Sequence, residues 1–304
     1  MESASGPALS ANGFSFAHIS DLHLPHVPHL AGAQHFSKRQ LSVWSWRRRR
    51  AIQRPEILAA LREDLHCRSL AHIAVTGDIT NFSLPGEYRD AAHWLRSLGP
   101  AGISVVPGNH DALVPVPESE GLGLWSDFMG QGSQWPRVAR SGNVSFIGLS
   151  SAVPTAPLLA TGRLGEAQLV RLEALLHDEA RAQRRRVIML HHPVTDGAVS
   201  RRKALVDRLA LQAVLRRAGA DLVLHGHARF ARLEPMAGPR GPIPVLCVPS
   251  SSALPNPHDD AARWHMVTIW PGSCWARVLV RQWSLAAAGF VDAASYELRL
   301  PDME

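Results

Sequence analysis

Five short apolar runs in this chain each stop on the same kinds of residue, and that coincidence limits the possible folds more than any other feature. F-A-H-I-S-D-L-H (Phe16 to His23) ends on Asp21 and His23. V-T-G-D-I-T (Val75 to Thr80) runs into a Gly turn and presents Asp78. V-V-P-G-N-H-D (Val105 to Asp111) does the same with Asn109, His110 and Asp111. V-I-M-L-H-H-P (Val187 to Pro193) and L-V-L-H-G-H (Leu222 to His227) finish on histidines. A short apolar run closed by a turn signal reads as a buried strand. Strands that all end in Asp, Asn or His turn one rim of a sheet into a cage of metal donors.

The runs are spaced by helical patterns. Pro55 suits a first helical position, where its missing N–H costs nothing, and Ile57, Leu58, Leu61 and Leu65 follow at helical spacing. Ala71 to Thr76 reads as a strand. A helix from Pro85 runs through Trp94 and Leu98 to Gly99 and Pro100. The pattern then predicts a strand over Ile103 to Val106, a helix over Glu118 to Met129 and a strand over Val144 to Leu149. An amphipathic helix over Glu166 to Ala182, a strand over Val187 to Leu190, a helix over Ala204 to Arg217 and a strand over Leu222 to Leu224 follow. From Ile243 onward only strands and turns remain: Val245 to Val248, His265 to Trp270, Trp275 to Val280 and Ala294 to Leu298. A βαβ series followed by a strand meander predicts an α/β protein, two sheets packed face to face with helices outside. The expected organisation is a disordered leader over 1–13 and one domain over 14–304. That domain carries an inserted loop over 24–53 and the C-terminal strands over 243–304.

Composition adds boundaries. With 46% hydrophobic residues and a mean hydropathy of −0.06, the 304-residue chain reads as soluble and globular with an ample core. The net charge is +6, and arginines cluster at Arg47 to Arg50 and Arg184 to Arg186. Such runs favour anionic partners: phosphate esters, nucleic acid or an acidic lipid surface. No RNP, KH or zinc-finger pattern accompanies them, so nucleic acid enters as a possible substrate class. The three cysteines, Cys67, Cys247 and Cys274, show no C-x-x-C spacing. That argues against a disulfide framework or zinc ribbon and fits a reducing, cytoplasmic setting. Met1 to Gly13 has neither the basic start nor the apolar centre of a signal peptide, and no apolar run approaches the roughly 20 residues of a spanning helix. Within Leu24 to Gln53, Trp44 and Trp46 abut Arg47, Arg48, Arg49 and Arg50. One reading is peripheral contact with an anionic membrane. The other is a solvated basic helix face with Trp packed on the core. Both stay open.

The donors at the strand ends suit one kind of chemistry. Phosphate-ester hydrolysis needs a nucleophile at neutral pH and neutralisation of phosphoryl charge, which two divalent metals about 3.5–4 Å apart supply. Asp21 and His23, one residue apart, project the same way from an extended strand end. Gly77 allows the turn that brings Asp78 to the centre. Asn109 offers a carbonyl oxygen, His110 an imidazole, and His191 and His227 two more. Asp111 reads as the orienter of His110. No cysteine joins this set.

In order and spacing, D-x-H, G-D, G-N-H-D, H-H-P and G-H resemble the motifs of the calcineurin-like metallophosphoesterase superfamily. T-G-R-L-G-E-A-Q-L (Thr161 to Leu169) is similar to a helix entry common there. The resemblance spans about Phe14 to Ser252. It implies a four-layer αββα sandwich with one or two divalent metals (Mn, Fe, Zn or Mg) at the strand ends. By matched position, Asp21, His23 and Asp78 would hold one metal, and Asp78, Asn109, His191 and His227 the other. His110 would act as general acid or transition-state stabiliser beside the leaving oxygen, with Asp111 fixing its tautomer. Asn81 and His192 are candidates for substrate contact.

One position departs from that pattern. Where the superfamily has G-H-x-H, this chain reads Gly226-His227-Ala228-Arg229. An always-protonated guanidinium cannot ligate a metal. The first metal could rest on three protein ligands, His225 could substitute, or Arg229 could replace that metal's charge by contacting substrate phosphate. The second option is disfavoured, because the position matching His225 is not a ligand in the family.

The functional expectation is a metal-dependent phosphoesterase acting on a phosphodiester, pyrophosphate or phosphomonoester. The basic, Trp-bearing insertion points toward a lipid-linked substrate such as UDP-diacylglucosamine. The alternatives are a soluble cyclic-nucleotide phosphodiesterase and a non-catalytic scaffold with a degenerate metal site.

Overall fold

A computed structural model describes residues 13–303; the leader expected over 1–13 lies outside them except for Gly13. Two six-stranded sheets form the centre. In the first, β1 (Phe14–Ile19), β2 (His72–Val75) and β3 (Gly102–Val105) run parallel, with Ile19 opposite Val75 and Val75 opposite Val105. The three segments that follow therefore leave the sheet at one rim. An antiparallel meander, β10 (Arg263–Ile269), β11 (Trp275–Ser284) and β12 (Gly289–Arg299), extends the sheet beside β1. The second sheet runs β4 (Arg137–Ser141), β5 (Val144–Gly148), β6 (Arg185–Met189), β7 (Leu222–His225), β9 (Ile243–Cys247) and β8 (Arg232–Met236). There Met189 lies opposite Leu224 in parallel register, so the chain after β6 and β7 also leaves at a shared rim.

Strand alternation sorts the side chains into layers. Phe16, Ala74, Val187, Met189 and Leu224 pack between the sheets. Their neighbours Ala17, Ile73 and Val75 face the other way, onto Ile57, Leu61 and Leu95 of α2 (Pro55–His66) and α3 (Pro85–Arg96). Ile188 and Val223 likewise meet Leu172, Leu176, Leu211 and Leu215 of α4 (Glu166–Arg181) and α5 (Arg208–Ala218). The order helices, sheet, sheet, helices is the expected αββα sandwich.

Four expectations change in detail. Residues 118–129 form two 3-10 segments, Glu118–Glu120 and Leu122–Phe128, instead of one α-helix. Gly121 interrupts them, and a Cβ on Gly123 would sit 2.5 Å from the Glu118 carbonyl oxygen. α5 starts at Arg208 instead of Ala204. The edge strands β4 and β8 carry no apolar alternation, and Pro235 in β8 is tolerated because an edge strand needs no full ladder. Half of the inserted loop is helix: a 3-10 turn over Gly32–Phe36 leads into α1 (Lys38–Arg49), capped by the Ser37 hydroxyl.

The arginine run before β6 also changes meaning. Arg185 and Arg186 are buried and share Asp221, at 2.8 and 3.2 Å. They brace the sheet end through buried Asp221 and offer nothing to an anionic partner.

Candidate metal centre

The strand-end donors sit in strained turns beyond the strands themselves. Asp21 (φ 49°), His23 (φ 43°), Asp78 (φ 53°) and His227 (φ 67°) all adopt left-handed backbone. For residues other than Gly this costs on the order of 1–3 kcal/mol each and persists where the surroundings over-determine it. Asp21 and His23 therefore converge by left-handed turns, not as an extended strand end, and buried Leu22 between them anchors the core. The anchoring bonds run between rims: Asp21 N–H to Gly77 O at 2.9 Å, His23 N–H to Asp78 O at 3.0 Å, and His227 N–H to the Asp21 carboxylate at 2.9 Å. Glycines let these turns touch. A Cβ on Gly108 would stand 2.2 Å from Asp78 Oδ1, and one on Gly226 would stand 1.9 Å from Ser20 Oγ. Gly108→Ala is expected to displace Asp78 and abolish divalent-cation uptake while leaving the far-UV circular dichroism near wild type. Unchanged uptake would show that the close packing of the two turns is dispensable.

Two groups of donors result, each with its atoms within 4.8 Å of one another: Asp78, His191 and His227, and Asp21, His23 and Asp78. Asp78 belongs to both. Asn109 Oδ1 lies 3.3 Å from His191 Nε2 and so joins the first group. All six ligand candidates from the sequence meet here, and all are buried.

The protons explain what the site is built for. His191 Nδ1 faces the Thr76 carbonyl at 2.7 Å, and His227 Nε2 faces the Lys203 carbonyl at 3.1 Å. A carbonyl only accepts, so those nitrogens carry the hydrogens. The remaining nitrogens, His191 Nε2 and His227 Nδ1, then turn their lone pairs toward each other at 3.1 Å, with Asp78 Oδ2 3.4 Å from the former. Such an arrangement calls for a positive charge between them. Without a cation, a proton answers. Burial alone would lower His191, but Asp78 and Asp21 outweigh it and raise it to about 9. Burial would raise the Asp78 carboxyl, but His191, His110 and His23 hold it well below the usual range. Burial, with His192 and His191 adding, keeps His227 neutral. Buried imidazole lone pairs, two carboxylates and an amide oxygen fit a divalent transition metal.

The remaining candidates separate. The His110 Nδ1–H is not given to the Asp111 carboxylate. Its Nδ1 meets the Asn81 carbonyl at 2.9 Å, and its backbone N–H donates to Asp78 Oδ1 at 2.7 Å. Asp111 is buried, and its carboxylate takes the backbone N–H groups of Gly108, Ile79 and Thr80 and the Thr80 hydroxyl. It shapes the turn, while the Asn81 carbonyl holds the imidazole. Burial, reinforced by Asp78, pushes Asp111 up to about 7. The Asn81 side chain is fully buried and donates to the Leu24 carbonyl, away from the cleft. His192 is buried too, bonded to the Ser151 hydroxyl and facing the Ala160 carbonyl. Neither lines the cleft. Arg229 does line the cleft and lies 3.5 Å from Asp259.

A cleft of about 330 Å³ opens above the donors. Its floor is Asp21, His23, Asp78, Asn109, His110 and His227, and its cations are Lys38, Arg202, Lys203 and Arg229. One wall is α1, through Leu41, Ser42 and Ser45. In sequence the segment reads as an inserted loop, open between a membrane contact and a basic helix face with Trp packed on the core; that it walls the cleft was missed. Trp46 packs edge-on against Phe82, ring centres 5.8 Å apart, as the second of those readings has it, while Trp44 is 57% exposed. The side chains of Arg48 and Arg49 lie outside the described residues. All three cysteines are free and none lines the cleft.

Comparison with known proteins agrees with this architecture. A family model described as calcineurin-like phosphoesterase matches residues 14–228. The chain is 26% identical over 278 residues to a probable cyclic nucleotide phosphodiesterase of Synechococcus, covering 90% of this chain and 94% of that protein. Among solved structures, a dimetal phosphatase from Danio rerio superposes with a TM-score of 0.57 at 16% identity, over 94% of this chain and 98% of that one. A purple acid phosphatase from yellow lupin seeds gives 0.58 at 13% identity, over 95% of this chain and 54% of that one. At these identities the structures speak for the fold.

Proposed function

The chain belongs to the calcineurin-like phosphoesterase family, a family of metal-dependent hydrolases, and from that premise we propose that it cleaves a nucleotide phosphodiester, in the first instance a cyclic nucleotide. The observation that carries this reading is the pair of donor groups sharing Asp78 on the floor of a cation-lined cleft. Asp21, His23 and Asp78 would hold one divalent ion, and Asp78, Asn109, His191 and His227 another. The ions would supply a nucleophile at neutral pH and neutralise charge on the phosphoryl oxygens.

The chain's own groups do the rest. With Nδ1–H fixed by the Asn81 carbonyl, His110 can carry its second proton only at Nε2 and deliver it to the leaving oxygen. Arg229, Lys203, Arg202 and Lys38 attract the anionic substrate. Arg229 sits where a further imidazole would complete the ligands of the Asp21 and His23 group. The complete half is therefore the Asn109, His191 and His227 half, and the tightly held ion belongs there.

The cyclic-nucleotide reading rests on the Synechococcus relative, which matches nearly end to end, and on the cleft's size, near the lower end of small-molecule pockets. A lipid-linked pyrophosphate is the second reading. It is favoured by Phe36, 95% exposed, and Trp44 on the segment that walls the cleft. Among the described residues no helix is long and apolar enough to cross a membrane, so such contact would be peripheral. Assaying 3′,5′-cyclic AMP beside UDP-diacylglucosamine in anionic vesicles separates the two. Turnover of the first with no vesicle binding supports the nucleotide reading. Turnover of the lipid alone, lost when Trp44 and Phe36 become Ser, would replace it.

The proton on His191 makes a further prediction. Its raised value means that, near pH 7, cation uptake must expel a proton. Lowering pH strengthens the competing proton, so affinity should fall about tenfold per unit below about pH 9 and level off above it. Calorimetric titration in buffers of different ionisation enthalpy should show release of one proton per tightly bound ion. Absence of release would contradict the assignment of His191.

A further inference from the structure

We infer that Ser42 on α1 is a positioning residue for His110, acting through the one carbonyl oxygen they share. The Asn81 carbonyl accepts the Ser42 hydroxyl at 2.9 Å and faces His110 Nδ1 at the same distance. A carbonyl oxygen has two lone pairs, and here each has a donor. The oxygen is thus held from the α1 side and presented to the imidazole from the other. This inference rests on the reading of His110 as the proton donor and extends it to a helix with no metal donors.

The rest of α1 makes the hold rigid. Arg39 forks onto the next two carbonyls, Phe82 O at 3.0 Å and Ser83 O at 2.6 Å. Val43 and Trp46 pack against Phe82 and Leu84. The same segment grips the His110 backbone, because the Ser83 hydroxyl donates to the His110 carbonyl at 2.8 Å. From below, the Glu87 carboxylate takes the N–H groups of Asn81, Phe82 and Leu84. At its N-terminal end α1 is tied across the cleft by Lys38, which donates to Thr155 Oγ1 and the Leu159 carbonyl. Residues 81–83 are therefore clamped between α1 and Glu87, and the imidazole hangs from the clamped carbonyl. Losing the hydroxyl frees one lone pair and lets the carbonyl tilt toward water or α1. The imidazole ring then swings off the leaving oxygen while the floor donors stay in place.

The test is a double-variant cycle on the metal-loaded protein with two diesters, bis(p-nitrophenyl) phosphate and diphenyl phosphate. p-Nitrophenoxide leaves with little protonation, whereas phenoxide needs more. Ser42→Ala should lower kcat on diphenyl phosphate about three- to tenfold, the worth of one ordinary hydrogen bond. The loss on the nitrophenyl ester should be smaller, and KM, bound metal and thermal midpoint should stay at wild-type values. Ser42→Thr keeps the hydroxyl and should restore most of the loss. In a His110→Asn background, Ser42→Ala should cost nothing further, because its route is gone. A loss that persists at full size in that background overturns the positioning role. The proton-donor reading is judged separately: His110→Asn slowing both esters equally would defeat it, whatever Ser42 does. Arg39→Gln gives a second check on the clamp, and should reproduce the discrimination between esters.

Discussion

Asp78→Ala should leave a folded protein that binds no divalent ion tightly and has lost at least about a thousandfold in phosphodiester turnover. The size follows from charge stabilisation worth several kcal/mol, at about 1.4 kcal/mol per factor of ten. The direction follows from geometry, since Asp78 is the residue common to both donor groups. Its Oδ1 also takes the His110 N–H at 2.7 Å, so the residue proposed as proton donor loses an anchor in the same step. Inductively coupled plasma analysis of metal per chain, beside kcat on bis(p-nitrophenyl) phosphate, checks both parts. A variant that keeps metal and a tenth of its activity would remove Asp78 from the centre of the account. Folding should survive, because a neutral, smaller side chain removes the cost of burying a carboxylate, which offsets the poorer fit of Ala to the left-handed backbone there.

Asp221→Ala should do the opposite: damage stability by about 3–5 kcal/mol, with the metal centre chemically complete. Removing one partner of a buried ion pair strands the other, and that penalty sets the magnitude. Here two guanidiniums, Arg185 and Arg186, depend on one carboxylate, which also takes the Arg186 backbone N–H at 2.7 Å. Arg186 keeps the Ala218 carbonyl and Arg185 the Pro301 carbonyl, which caps the loss. Urea denaturation should show a lower midpoint at an unchanged slope. Divalent-ion binding at low denaturant should match wild type. A shift below about 1 kcal/mol would mean that water or the backbone rescues the stranded charges.

These two residues mark where the sequence was legible. Asp78 was readable because its role depends on local order: apolar run, Gly, hard donor. A Gly also precedes Asn109 and His227, while Asp21 and His191 close their apolar runs without one, and parallel pairing of neighbouring strands brings the ends to one rim. Asp221 was opaque because its meaning depends on which way two arginines point, and an arginine run looks the same in sequence whether solvated or buried. The Asp111 assignment missed for a related reason. Adjacency to His110 suggested contact, but consecutive residues in a tight turn diverge, and the carboxylate found three backbone N–H groups instead. Backbone carbonyls such as those of Thr76, Asn81 and Lys203 set the imidazole tautomers, and any residue type could supply them, so no motif records them. α1 stayed undecided between a membrane contact and a basic helix face because its apolar positions, Leu41, Val43, Trp44 and Trp46, do not trace a helical stripe. Val43 and Trp46 pack while Trp44 is exposed. The start signal was present in Ser37, with no Pro or Gly in the twelve residues that follow.

The central claim is that phosphodiester hydrolysis occurs at the Asp78 cleft and depends on divalent ions held there. Stripping the full chain with a chelator, then assaying 3′,5′-cyclic AMP before and after stepwise addition of Mn²⁺, tests it most directly. The account predicts no turnover in the stripped protein, recovery as the first equivalent fills the Asn109, His191 and His227 half, and no recovery in His191→Ala at the same concentrations. Turnover that survives stripping, or full recovery in His191→Ala, would contradict it.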